Sequence, residues 1–207
     1  GYIQFIDIQA IAHLCEEAGC EAYLPLNPGT FVFEDTVLAW LHAPDGLASG
    51  LMGRVAGHFI IATNRSFDQD PRFGLAVMAE IGSRALSPAT NDPGTAIDVI
   101  GRLTRLLAHW AEGRADIPVR YPQLHLHPLS DADLFEDAFM LMARDGARLI
   151  EVQLRLQKSL AALQRLGRSD FRQAAAVQAA LALERSLQAM DCETDRQRLQ
   201  ALVAAED

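Results

Sequence analysis

The longest unbroken apolar run in this chain is six residues, Ala138 to Ala143. A membrane-spanning helix needs roughly 20 consecutive apolar residues, so none is expected within these 207 residues. Half of the residues are nevertheless hydrophobic, and the mean hydropathy is +0.06. Apolar side chains in that quantity, dispersed in short runs, can be buried only by one-sided helices and strands folded onto a shared core. Disorder is excluded as the dominant state for the same reason. At 22.6 kDa the chain has the size of one compact domain, or of a small domain with a helical extension.

Charge narrows the function classes. The net charge is −9 and the pI near 5.1, which argues against nucleic acid as a partner, because phosphate binding needs a basic face. Residues 1–53 hold seven acids (Asp7, Glu16, Glu17, Glu21, Glu34, Asp35, Asp45) and no Lys or Arg before Arg54. All 18 basic residues follow, and Lys158 is the single lysine. Such a front is either a solvated face or an acidic surface that meets a basic partner. Cys15, Cys20 and Cys192 lack C-x-x-C or zinc spacing, so neither a disulfide framework nor a structural zinc is expected. The opening residues Gly1, Tyr2, Ile3 and Gln4 carry neither an initiator Met nor a basic n-region. They read as the start of a fragment rather than as a secretory leader.

Along the chain the hydrophobic period changes from 2 to 3.6. Asp7 suits the N-cap of a helix running to Ala18, with Gly19 at its C-terminal stop. Extended stretches follow at Cys20–Leu24, Thr30–Phe33, Thr36–Leu41 and His58–Thr63, with turns at Asn27-Pro28-Gly29 and Glu34-Asp35. Asp70-Pro71 and Asp92-Pro93 each pair a carboxylate cap with a proline at the first helical position. Leu75, Met78, Gly82 and Ala85 align after the first, and Ala96, Ile100, Leu103, Leu107 and Trp110 after the second. The polar link Ser87–Asn91 should fold these two helices into a hairpin. Pro118–His127 suggests another short strand pair. From Ser130, capped in a box with Asp133 and stopped near Gly146, the chain is helical. Leu149, Val152, Leu156, Leu160 and Leu163 form a stripe that Gly167 ends. An Ala-rich helix over 171–190 and a fraying terminal helix complete the chain.

The expected class is α+β and mostly helical, with a small antiparallel β unit followed by an amphipathic helical bundle. The organisation reads as 1–64, 65–129 and 130–207 within one compact domain. The segment from Asn27 to Ala39 resembles the half-motif of barrel-sandwich hybrid domains. Lipoyl and biotin carriers share that scaffold but need a lysine on a hairpin tip, and Lys158 lies in a helix. The scaffold stays open; the carrier function does not.

No nucleophile elbow, P-loop, dinucleotide fingerprint or H-E-x-x-H motif is present, and no cofactor is implied. His125 and His127 share a strand face and are weak metal-ligand candidates without a third ligand at motif spacing. The densest polar constellation is Arg65, Asp70 and Arg72 followed by Arg84, Ser87, Asn91, Asp92 and Thr95. Basic groups beside a helix N-terminus can hold an anion. The same residues can equally serve as caps and ion pairs, and the Asp92 carboxylate would repel an anion.

Three strings then carry a resemblance: Gly1–Asp7, Arg65–Gly74 and, most specifically, Ala85–Ala96. The chain resembles the soluble C-terminal part of the bacterial "predicted membrane protein" family of unknown function, domain of unknown function 2254. It departs from the family pattern with Ala89 and Thr90 in place of glycine and an aliphatic residue, and with Gly94 in place of a bulky one. The resemblance implies transmembrane helices preceding Gly1, a cell-membrane location and the cytoplasmic side for these residues. It implies no reaction. The expected role is a regulatory or oligomerisation domain, the Leu149–Leu163 stripe being a surface on which copies could meet. The alternatives are an anion or small-molecule sensor at the Arg65/Arg84/Asn91 constellation, and a hydrolase using Asp68, Asp70 and Asp92.

Overall fold

The computed structural model describes residues 1–113 and 118–206. The chain divides into two compact units, Gly1–Phe73 with Asp116–Leu129 and Gly74–Ala115 with Ser130–Asp207. Each unit combines two chain segments, where the sequence suggested three consecutive blocks. The class is α+β and mostly helical.

The first unit opens with β1 (Tyr2–Ile6), which pairs antiparallel with β4 (Phe59–Ala62). Helix α1 (Ile8–Ala18) starts on Asp7, whose carboxylate accepts from the Ala10 amide at 3.0 Å, and stops at Gly19 in the left-handed region. Both ends are written in neighbouring residues, which is why they are legible locally. Strands β2 (Glu21–Leu24) and β3 (Trp40–His42) pair antiparallel, and β5 (Leu124–Leu126) joins β2 in parallel. The second sheet therefore runs β3-β2-β5. A short helix α2 (Leu51–Ala56) precedes β4.

Three strand expectations shift. Thr30–Phe33 contributes a single bridge, Phe31 to Tyr2, and Thr36–Leu41 yields only the three-residue β3. Pro118–His127 forms no pair of its own: β5 depends on β2, about a hundred residues earlier. Strand pairing is a long-range choice that local composition cannot make. Ile3, Ile6, Ile11, Leu14, Leu24, Val32, Val55 and Phe59 build this unit's core with Cys15 and Cys20.

The second unit is helical. Helix α3 (Pro71–Ala85) crosses the division after Phe73, and α4 (Pro93–Glu112), α5 (Asp131–Asp145), α6 (Ile150–Gln164), α7 (Ser169–Ala189) and α8 (Glu193–Glu206) follow. Asp92 and Ser130 cap α4 and α5 through the Thr95 and Asp133 amides, as their spacing predicts. The most extensive packing in this unit is not between α3 and α4. Instead α6 packs on α7 and α4, and α5 packs on α7. Gly82 lets Met142 and Val99 approach, since an added Cβ would stand 2.6 Å from the Met142 sulfur and 3.3 Å from Val99.

The stripe Val152, Leu156, Leu160 and Leu163 is wholly buried in this unit's own core, with Phe135, Phe139 and Phe171 against it. Trp110 departs from the expected buried face: it is partly exposed, and its indole N–H donates to Asp131 at 2.8 Å. The terminal helix is anchored by fully buried Leu199 and by an ion pair from Arg165 to Glu206 at 3.0 Å.

Candidate functional site

The polar constellation falls on both units. In the first, Asp70 is 2% exposed and accepts from Arg65 through Nε at 2.7 Å and Nη2 at 3.0 Å. Its Oδ1 also accepts the Phe73 amide at 3.0 Å, which opens α3. The Arg65 guanidinium lies 4.9 Å over the Phe73 ring, and Phe67 stacks on that ring at 4.5 Å. Gly29, at φ +91°, packs so close to Asp70 that a Cβ there would stand 2.1 Å from its carboxylate. Gln69 meets both backbone groups of Ile6, accepting at 2.9 Å and donating at 3.2 Å, and so extends the β1 ladder with its side chain. Arg72 is half-buried in the first turn of α3.

In the second unit, Asn91 takes a left-handed backbone conformation, φ 47°, and its amide donates to the Ser87 carbonyl at 2.8 Å. The Ser87 hydroxyl donates to Thr90 at 3.2 Å. Asp92 accepts from the Thr95 hydroxyl at 2.6 Å and the Thr95 amide at 3.0 Å. Those bonds, the hydroxyl's first, hold its carboxyl below the usual carboxylate range. Arg84 is exposed in the last turn of α3. The structure thus groups Arg65 with Asp70, and Ser87 and Asn91 with Asp92 and Thr95, in two separate units.

The histidines also separate. His125 Nε2 lies 3.1 Å from Glu21 Oε2 and its ring stacks on Tyr23 at 4.2 Å. His127 contributes its backbone N–H to the Leu24 carbonyl at 3.0 Å. Among the described residues no group of three or more His, Cys, Asp or Glu is placed to hold a metal ion.

A cleft of about 560 Å³, for which the sequence holds no local signal, lies in the first unit. The end of α1, the outer ends of β2 and β3, and residues 120–123 form it. Cys15, Cys20, Glu21, His42, Arg120 and Tyr121 are among the lining residues. Burial pushes the Cys15 thiol up to about 12, helped by its hydrogen bond with Cys20, so at neutral pH it stays protonated and unreactive. Glu16 and Glu21 are the carboxylates of the cleft, and Glu21 is the one bonded by neighbouring side chains. Its Oε2 accepts from the Tyr23 hydroxyl at 3.0 Å and meets His125, and these two bonds hold its carboxyl below the ordinary range. Trp40, Tyr23 and His125 form one row across β3-β2-β5, in register at Tyr23. Trp40 is 62% and Tyr23 42% exposed. Nothing local could show this cleft, because its residues come from three separated stretches, 15–21, 42–44 and 120–123.

Comparison with known proteins adds kinship. The family model described as "Predicted membrane protein (DUF2254)" matches residues 1–162. Uncharacterized proteins of Mycobacterium bovis (strain ATCC BAA-935 / AF2122/97) and Mycobacterium tuberculosis (strain ATCC 25618 / H37Rv) are each 39% identical over 108 residues, covering 50% of this chain and 21% of the relative. The matched stretch therefore spans about a fifth of those relatives' length. No solved structure matches the chain.

Proposed function

The chain belongs to the DUF2254 family of predicted membrane proteins, and from that premise we propose that it works as a regulatory or oligomerisation domain outside the bilayer. No helix among the described residues is long and apolar enough to cross a membrane. The observation that carries the reading is the use of the two most polar strings. Arg65 binds Asp70, Gln69 binds Ile6, and Asp92 binds Thr95. Side chains bonded to their own fold are building material, and a regulatory domain needs no more chemistry from them.

The Leu149–Leu163 stripe leaves the list of surfaces on which copies could meet, since its own unit buries it. A pair on the exposed side of α7, Val177 and Leu181, takes its place. Light scattering across concentration should give a mass that rises above the monomer, and Leu181→Asp should return it to the monomer. A strict monomer at high concentration would count against assembly through this chain.

The cytoplasmic side is part of the proposal. Cys192 is exposed while Cys15 and Cys20 are buried, which makes it a built-in topology probe. In the full-length protein in whole cells, a membrane-impermeant maleimide should modify Cys192 only after permeabilisation, with Cys192→Ser as the blank. Labelling before permeabilisation would place the domain on the other side.

A further inference from the structure

Glu21 and Arg120 line the same cleft with opposite charges, yet no ion pair joins them. Both hydrogen bonds to Glu21 fall on Oε2, so Oε1 stays open to the approach of a positive charge. Arg120 lies 5.2 Å over the Tyr121 ring, a stacking that leaves guanidinium N–H groups for an oxyanion. Beside Glu21 on the same sheet face stands the exposed row Trp40, Tyr23 and His125.

We propose that this cleft binds a zwitterion that joins an organic ammonium group to an oxyanion. The ammonium belongs at Glu21, whose Oε1 carries no hydrogen bond from the fold, with the Tyr121 ring the aromatic surface in the same lining. The oxyanion belongs at Arg120, whose planar fork matches phosphate or carboxylate. A simple anion would meet Glu16 and Glu21 in the same lining, and a simple cation would meet Arg120. A ligand carrying both charges meets an opposite charge on each of Glu21 and Arg120. A volume of about 560 Å³ suits a small molecule or the headgroup of a lipid. The two sources share this chemistry and differ in whether an acyl chain follows.

The test is calorimetric titration of the chain with phosphocholine and glycine betaine, with choline and inorganic phosphate as half-ligands. At least one zwitterion should saturate, with each half-ligand at least about tenfold weaker. Glu21→Gln and Arg120→Ala should each weaken that zwitterion about tenfold or more; both side chains are exposed, and circular dichroism checks that the variants fold. Co-sedimentation with phosphatidylcholine vesicles, lost in Glu21→Gln, would assign the lipid source. Saturation by the soluble zwitterion without vesicle binding would assign a free metabolite. Absence of saturation into the millimolar range together with absence of vesicle binding would overturn the proposal. So would inorganic phosphate binding as tightly as phosphocholine, or equal binding to phosphatidylglycerol vesicles.

Discussion

Asp70 brings together several distant parts of the first unit. It is buried against Gly29, holds Arg65 with two bonds and caps α3 through the Phe73 amide. Removing one member of a buried charge pair leaves the other without its partner. Asp70→Ala should therefore cost about 3 kcal/mol in urea unfolding, the lower end for such pairs because Arg65 reaches solvent. Asp92 is a surface counterpart with a pH signature. Its folded pKa is lowered, by the Thr95 hydroxyl first. Its contribution to stability is thus present above the ordinary carboxylate value near about 4 and disappears as pH falls through the lowered one. In thermal melts Asp92→Ala should lower Tm at pH 7, and its difference from the parent chain should shrink at an acid pH where the Asp92 carboxylate is protonated. Equal losses at both pH values would show that the carboxylate's charge is not what stabilises the cap.

Elements differ in how much of their design is local. Helices α1, α4 and α5 begin on Asp7, Asp92 and Ser130, each of which bonds an amide three residues on. Such contacts lie inside one helical turn, so the residue types alone announce them. Strand β1 is not legible in the sequence because Tyr2–Ile6 makes sense only beside β4, and α2 is not because six residues carry little periodicity. Helix α6 combines a legible stripe with a surprise. Gln153 is fully buried, and neither atom of its amide has a hydrogen-bond partner among the described residues. A buried amide without partners costs about 1–3 kcal/mol. Gln153→Met, similar in length and apolar, should raise stability by about 1 kcal/mol in urea unfolding. A loss of stability instead would mean that the amide is held by a bond the geometry does not contain.

The whole molecule has two cores rather than one. One gathers around Ile3, Ile11 and Phe59; the other gathers around Leu103, Phe139 and Leu156. Because the α6 stripe belongs to the second core, shortening it should act on stability and leave assembly alone. Leu156→Ala should cost about 2–5 kcal/mol of stability without changing the mass found by light scattering. A lower mass in a folded Leu156→Ala chain would return the stripe to the interface between copies.

The sequence by itself determined the class, most helix ends and the kinship. It also singled out the polar constellation to which Arg65, Asp70, Asp92 and Thr95 belong. All of these are written in stretches of a few neighbours, where caps, periods and family strings are visible without folding. Tertiary structure decided how Arg65 and Asp70 are used, because the pair is enclosed only once Gly29 packs on Asp70 and Phe73 lies against Arg65. It also decided the parallel pairing of β5 with β2. That pairing brings Arg120 to the cleft of Glu21, Cys15 and Cys20. Residues about a hundred positions apart meet through burial and backbone pairing, and neither leaves a local trace in the order of the amino acids.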